Sequence, residues 1–147
     1  LNRMLQGKQP IIYGDGKQQR CFSYIDDCLY CLNALAFQDN VVGEVINIGP
    51  DEEPITINEL AEACANETGL NLDPIHHKDR PKEVKLAVCS SDKARDLLGY
   101  NTATNMRQSV KKTAEYIRTR GTKKFQYHLP LEIINDQTPD TWKKKLI

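Results

Sequence analysis

Residues 13–27 read YGDGKQQRCFSYIDD. The stretch carries two glycines, two cations (Lys17 and Arg20) and three acids (Asp15, Asp26, Asp27). It lies between two apolar runs, PIIY at 10–13 and CLYCLNALAF at 28–37. PIIY is a short strand candidate, GDGKQQ is a turn, and CFSYI is a second short extended segment. Asp26 or Asp27 is placed to cap a helix that runs to about Phe37, with Cys28, Leu29, Leu32, Leu35 and Ala36 on one face. Arg20 sits in this frame with Tyr13, Phe22 and Tyr24 around it, an aromatic company that a solvent-facing turn rarely needs.

Working outward, EVINIG at 44–49 has the pattern of a buried strand. Val45, Ile46 and Ile48 make both of its faces apolar, so it is expected to want neighbours on each side. Thr56 and Glu59 form a capping box, and the helix they open buries Leu60, Ala61, Cys64 and Ala65 before stopping near Gly69. DPIHHKD at 73–79 is a further strand candidate. SSDKARDLLGY at 90–100 is a compact helix, with Ser90 or Ser91 as cap and Gly99 as stop. Asn105 and Gln108 make a second capping box before a helix with Met106, Val110, Ala114 and Ile117 in register, ended by Gly121. Strand and helix in alternation predict an α/β fold. At the start, Leu1, Met4 and Leu5 have helical spacing and Gly7 follows as a C-cap, so the chain is expected to be a piece of something longer. Residues 121–147 form a tail whose apolar residues, Leu129, Leu131, Ile133 and Ile134, are expected to lie over the domain surface.

The chain has 147 residues, with 20 Lys plus Arg balanced by 20 Asp plus Glu. Zero net charge carries no electrostatic argument for nucleic acid, and the KKK cluster at 143–145 reads as a solvated end. No apolar run approaches the ~20 residues that span a bilayer, and no signal peptide precedes the first turn. The five cysteines are an odd number in a chain without secretory features. They are expected to be reduced thiols in a cytoplasmic protein.

The candidate chemistry divides quickly. CLYC at 28–31 has the spacing of a redox pair or of half a zinc site, but it falls a turn inside a helix on the apolar face, where cysteines are core residues. His76 and His77 are adjacent, which suits alternating faces of an edge strand better than shared ligation. The GDG of 14–16 is too short for a phosphate loop and no helix follows it directly. Arg20 and Arg80 remain. Each follows a strand candidate and precedes a helix, the geometry in which open α/β folds bind ligands. A guanidinium offers a planar fork of donors matched to phosphate oxygens. Two readings stay open: the pair grips a diphosphate, or both are surface charges paired with Asp15, Asp79 or Glu83.

Taken in order, PIIYGDGKQQRCFSYIDD, GEVINIG, the capping-box helix and DRPKEVKLAVCSSDKARDLLGY resemble the C-terminal part of an extended short-chain dehydrogenase/reductase. This is the group of NAD-dependent nucleotide-sugar epimerases and dehydratases. The resemblance covers residues 1–120 and implies a Rossmann-type α/β protein of which this chain is mainly the smaller, substrate-binding part. It implies that Arg20 and Arg80 contact the diphosphate of a nucleotide sugar. Tyr13, with backbone groups of Ile11 and Ile12, would lie at the nucleotide base, and Asn47 near the phosphates, with uridine the expected base. Two positions depart from the pattern. Lys82 stands where relatives carry glycine after Arg-Pro, and Ala87 stands where some epimerases place a tyrosine.

The family's dinucleotide grip, G-x-x-G-x-x-G, is missing from the sequence. Of its six tyrosines, only Tyr13 is followed four residues later by lysine, Lys17, and that pair lies in the glycine turn. The resemblance therefore implies an enzyme using NAD in a longer parent protein, with an N-terminal Rossmann half as partner and a homodimer as assembly. The parent reaction would oxidise the sugar at C4 and go on to epimerisation, dehydration or decarboxylation. This chain alone is expected to be inactive and to bind no NAD. A free-standing nucleotide-sugar-binding module and a functionless fragment are the alternatives.

Overall fold

Two capping boxes organise the helical half of the molecule. Glu59 N–H donates to Thr56 Oγ1 (3.1 Å) and Thr56 N–H to Glu59 Oε2 (2.7 Å). Gln108 N–H donates to Asn105 Oδ1 and Asn105 N–H to Gln108 Oε1, both at 3.0 Å. Each pair satisfies two backbone donors that a helix start leaves without partners. In this computed structural model, which describes residues 1–127 and 129–145, the elements are β1 (Ile11–Tyr13), β2 (Gln19–Arg20), α1 (Ile25–Phe37), β3 (Ile55–Thr56), α2 (Ile57–Thr68), β4 (Ile75–His77), β5 (Leu86–Ala87), α3 (Asp92–Leu98), α4 (Met106–Arg120) and α5 (Asp140–Lys143). The first residues form one tight turn, Met4–Gln6, closed by Gly7 in the left-handed conformation.

The strands make two small sheets. β1 pairs in parallel with β4, Ile12 opposite His76. β2 is central in the other sheet, antiparallel to β3 and parallel to β5, with Arg20 opposite both Ile55 and Ala87. The turn between β1 and β2 depends on glycine. Gly14 and Gly16 have φ near +70°, and a Cβ would collide with the Asp79 carboxylate at the first and the Asn58 side chain at the second. Asn58 clasps the turn, its N–H donating to Gly16 O (3.1 Å) and its Nδ2 to Asp15 O (2.9 Å).

Two apolar clusters form the core. Met4, Ile12, Ala61, Cys64, Ala65 and Val110 join β1, α2 and α4, while Cys31, Val41, Ala94, Leu98 and Tyr100 join α1 to α3. Burying Ile12, 2% exposed, contributes about 1.5–3 kcal/mol.

Several sequence expectations are corrected. The second strand is Gln19–Arg20, just ahead of CFSYI, and residues 21–24 run on without a ladder. Asp27 is no cap. It is buried inside the first turn of α1 and accepts from Thr104 N–H and Thr104 Oγ1, both at 2.8 Å, tying α1 to the entry of α4. The apolar face assigned to α1 is rotated. Cys31 is fully buried, while Leu29 and Leu32 are half exposed. EVINIG is irregular, and Val45 is 86% exposed, because no strand pairs with it among the described residues. Ile46 and Ile48 still pack partly on the second cluster. In the tail, Leu129, Ile133 and Ile134 face solvent; Thr141, fully buried, makes the attachment instead. His128, Leu146 and Ile147 of that tail lie outside the described residues.

Candidate functional site

Arg20 ends the central strand β2, and its neighbours on both sides fix where its side chain starts. Its Nη1 donates to the carbonyl of Gln19 (2.6 Å) and its Nη2 to Glu83 Oε1 (2.8 Å). Arg80 follows β4 by three residues and reaches the other oxygen of the same carboxylate, Nε to Glu83 Oε2 at 3.0 Å. Two guanidinium groups, one from a strand end and one from a loop, thus converge on one anion, and that anion's side chain is only 11% exposed. The other acids near them are engaged elsewhere, Asp15 with Lys17 (3.8 Å) and Asp79 with Lys85 (3.7 Å).

The loop carrying Glu83 turns at Lys82, which has φ 58°. This is the position where the resembling family has glycine. A lysine in the left-handed region costs roughly 1–2 kcal/mol, and the strained turn, in which Glu83 N–H donates to Arg80 O (3.2 Å), brings Glu83 back beneath Arg80.

Tyr13 stands beside this cluster. The Arg80 guanidinium lies 4.6 Å from its ring centroid, and the His77 ring is 6.3 Å away on the partner strand. Its hydroxyl bonds Thr141 Oγ1 in the tail. Burial pushes the phenol above its usual range, which the Arg80 charge opposes. Ile11 and Ile12 belong to the same strand. Ile75 N–H donates to Pro10 O (2.9 Å) and Gly14 N–H to His77 O (2.8 Å). In a parallel ladder that alternation directs the backbone of Ile12 at β4 and that of Ile11 away from it. The structure therefore brings together Tyr13, Arg20 and Arg80. Asn47 lies apart, in a cavity it lines with Cys21, Ser23, Ala87 and Cys89, donating to Ser90 O at 3.4 Å.

Three features lie out of reach of the sequence reading. Glu83 is one of three acids, with Asp15 and Asp79, that the sequence offers as partners. Thr141 and Trp142, which border the arginine cluster, lie more than sixty residues beyond Arg80 in the chain with no local signal. Arg95 reads in the sequence only as part of a helix. It clamps the Gly49–Glu52 loop to α3, bonding both oxygens of Asp51, Glu52 Oε1 (2.7 Å) and Asp92 Oδ1 (2.9 Å). Arg95 and the Ser91 N–H hold the Asp51 carboxyl below its usual range. The cysteines of CLYC are unpaired thiols, Cys31 in the core and Cys28 with its pKa raised by burial. Among the described residues no group of three or more His, Cys, Asp or Glu is placed to hold a metal ion, and no helix is long and apolar enough to cross a membrane.

The family model for GDP-mannose 4,6 dehydratase matches residues 1–113. The UDP-N-acetyl-alpha-D-glucosaminuronate decarboxylase of Bacillus cytotoxicus is 31% identical over 124 residues, covering 80% of this chain and 38% of that protein. The UDP-glucuronic acid 4-epimerase of Bacillus cereus, solved with UDP-glucuronic acid and NAD, has a TM-score of 0.74 at 31% identity, over 82% of this chain and 38% of its own. The UDP-glucose 4-epimerase of Thermotoga maritima, solved with UDP-glucose, has a TM-score of 0.71 at 30% identity, over 81% and 38%. The chain spans about 38% of the length of these relatives, and the part matched is C-terminal.

Proposed function

From a chain that belongs to the GDP-mannose 4,6 dehydratase family, and so to the extended short-chain dehydrogenases/reductases, we propose the nucleotide-sugar-binding portion of an NAD-dependent epimerase or dehydratase. The observation that carries this reading is the convergence of Arg20 and Arg80 on the two oxygens of Glu83. A carboxylate offers two oxygens to a guanidinium much as a phosphate does, so the geometry that holds Glu83 also suits a diphosphate. Tyr13 and the backbone of Ile11 border the nucleotide end. Asn47 meets the ligand only if the ligand extends past β2, since it lines a different cavity.

NAD belongs to the rest of a longer protein in this reading. The one Tyr-x-x-x-Lys pair does not fit it. Tyr13 is on a strand, its hydroxyl is taken by Thr141, and exposed Lys17 pairs with Asp15. A partner half is supported by the apolar surface on and after α1, where Ile25, Leu29, Leu32, Phe37, Val42 and Val45 are each at least half exposed. So many large apolar side chains exposed along one stretch of chain suit an interface, and they favour a portion of a larger enzyme over a free-standing module. The enzyme would oxidise the sugar at C4 and then epimerise, dehydrate or decarboxylate it, as a cytoplasmic homodimer.

Isothermal titration of the chain with UDP-glucose, UDP-glucuronic acid and GDP-mannose tests the reading. Saturable binding of at least one is expected. Heats indistinguishable from buffer for all three discard it.

A further inference from the structure

Two ties hold the tail, which lies beyond the family match over residues 1–113. At its start Asn2 Nδ2 and Gln6 Nε2 donate to Lys123 O (2.7 and 3.0 Å), and Lys123 N–H donates to Asn2 Oδ1 (3.0 Å). Near its end Thr141 is fully buried, and its Oγ1 shares a hydrogen bond with the Tyr13 hydroxyl. Among the described residues this is the one hydrogen bond between residues 129–145 and residues 1–120. The other bonds of that segment stay within the tail. Thr138 N–H donates to Asn135 O (3.1 Å), Lys143 N–H to Pro139 O (3.1 Å) and Lys144 Nζ to Asp140 Oδ2 (3.0 Å). The end of the tail thus keeps its own shape and can lift as one piece once a single bond breaks.

That bond closes off Tyr13. Its hydroxyl is taken by Thr141, and the Arg80 guanidinium lies 4.6 Å from its ring centroid. The cavity of about 330 Å³ at Tyr13 is lined by Tyr13, His77 and Arg80 from the body and by Asp136, Pro139 and Lys143 from the tail, among others. That volume is at the low end of what a drug-sized ligand fills, so seating a nucleoside there requires the tail to move. We propose that residues 136–144 are an autoinhibitory strap, latched by the Tyr13–Thr141 bond over the nucleotide end of the site and displaced when a nucleoside diphosphate binds. The proposal rests on the nucleotide-sugar reading given above, in which Tyr13 borders the base. Tyr13, Arg20 and Arg80 all lie within the matched residues 1–113 and the strap lies outside them, so the strap is an addition that covers the site. A hydrogen bond of this kind shifts an equilibrium by about two- to tenfold, so the latch attenuates binding without abolishing it.

The full chain is titrated by calorimetry with UDP and with inorganic pyrophosphate, which has no base to meet Tyr13. Thr141→Val keeps the buried shape and removes the latching hydroxyl. It should tighten UDP by about two- to tenfold and leave pyrophosphate within about twofold, while Thr141→Ser should match wild type. A second measurement needs no variant. Brief trypsin digestion of the wild type, read by mass spectrometry, should cut after Lys143, Lys144 and Lys145 faster with UDP present than without it. UDP affinity unchanged or weakened in Thr141→Val overturns the proposal and leaves the arginine clamp standing. So does UDP that protects these lysines, because the tail is then a wall of the occupied site. Equal tightening of UDP and pyrophosphate also overturns it, because the tail then acts on the arginines and not at Tyr13. Binding of neither compound by the wild type overturns both this proposal and the reading beneath it.

Discussion

Replacing Glu83 by glutamine removes one negative charge from between two guanidinium groups and keeps the side chain's shape. The carboxylate takes Arg20 at 2.8 Å and Arg80 at 3.0 Å. A shielded charge-assisted hydrogen bond contributes about 1.5–3 kcal/mol, whereas an exposed ion pair contributes about 0–1 kcal/mol. The Arg20 side chain, 26% exposed, sits toward the first case, and that of Arg80, 42% exposed, toward the second. Glutamine can keep one acceptor contact, so the expected loss is about 2 kcal/mol. For a chain of this length that lowers Tm by roughly 6 °C. Differential scanning calorimetry of Glu83→Gln against wild type measures it, at low salt and at 1 M salt, where screening acts within about 3 Å. The gap should narrow at high salt without closing, since Glu83 is largely shielded from solvent. Arg80→Ala should cost less when combined with Glu83→Gln than in wild type, because the two residues share one contact. A variant melting within about 1 °C of wild type would refute the idea that this carboxylate organises the site.

Other outcomes follow from the same contacts. Lys82→Gly removes left-handed strain at φ 58°. It should stabilise the chain by up to about 1 kcal/mol in urea titration, the relief of strain exceeding glycine's added freedom in the unfolded chain. The Asp51 carboxyl is held low by Arg95 and Ser91. Its contribution to stability is full above the unfolded aspartate value of about 3.9 and is lost as pH falls through the lower folded one. Denaturation midpoints from pH 6 to pH 2.5 should therefore drop at the acid end, and Asp51→Asn should show a shallower acid slope.

How much of this is legible in the sequence depends on whether the signal is local. Both capping boxes form as spelled, and Gly69 and Gly99 end their helices in the left-handed conformation, because these devices involve residues within four positions of one another. The face of α1 is not legible. CLYCLNALAF is apolar on most sides, and periodicity cannot choose between Cys31, which is buried, and Leu29 and Leu32, which are not. EVINIG reads as a strand because apolar runs signal burial, but a strand also requires a neighbour to supply the ladder, and a run of residues says nothing of where that neighbour is. The arginines illustrate both sides. Their position after short strands points to a site, and three acids nearby offer partners; only the fold shows that Glu83 takes both arginines while Asp15 and Asp79 go to lysines. Trp142 reaches the same groove through a tail contact that no local pattern encodes.

The central claim is that Arg20 and Arg80 hold one diphosphate together. A double-mutant cycle on pyrophosphate affinity, with Arg20→Ala, Arg80→Ala and the double variant, tests it most directly. Each single change should weaken binding by about 10- to 100-fold, and the double variant should lose less than the product, because two donors to one ligand are coupled. Affinity unaltered by either substitution would contradict the account.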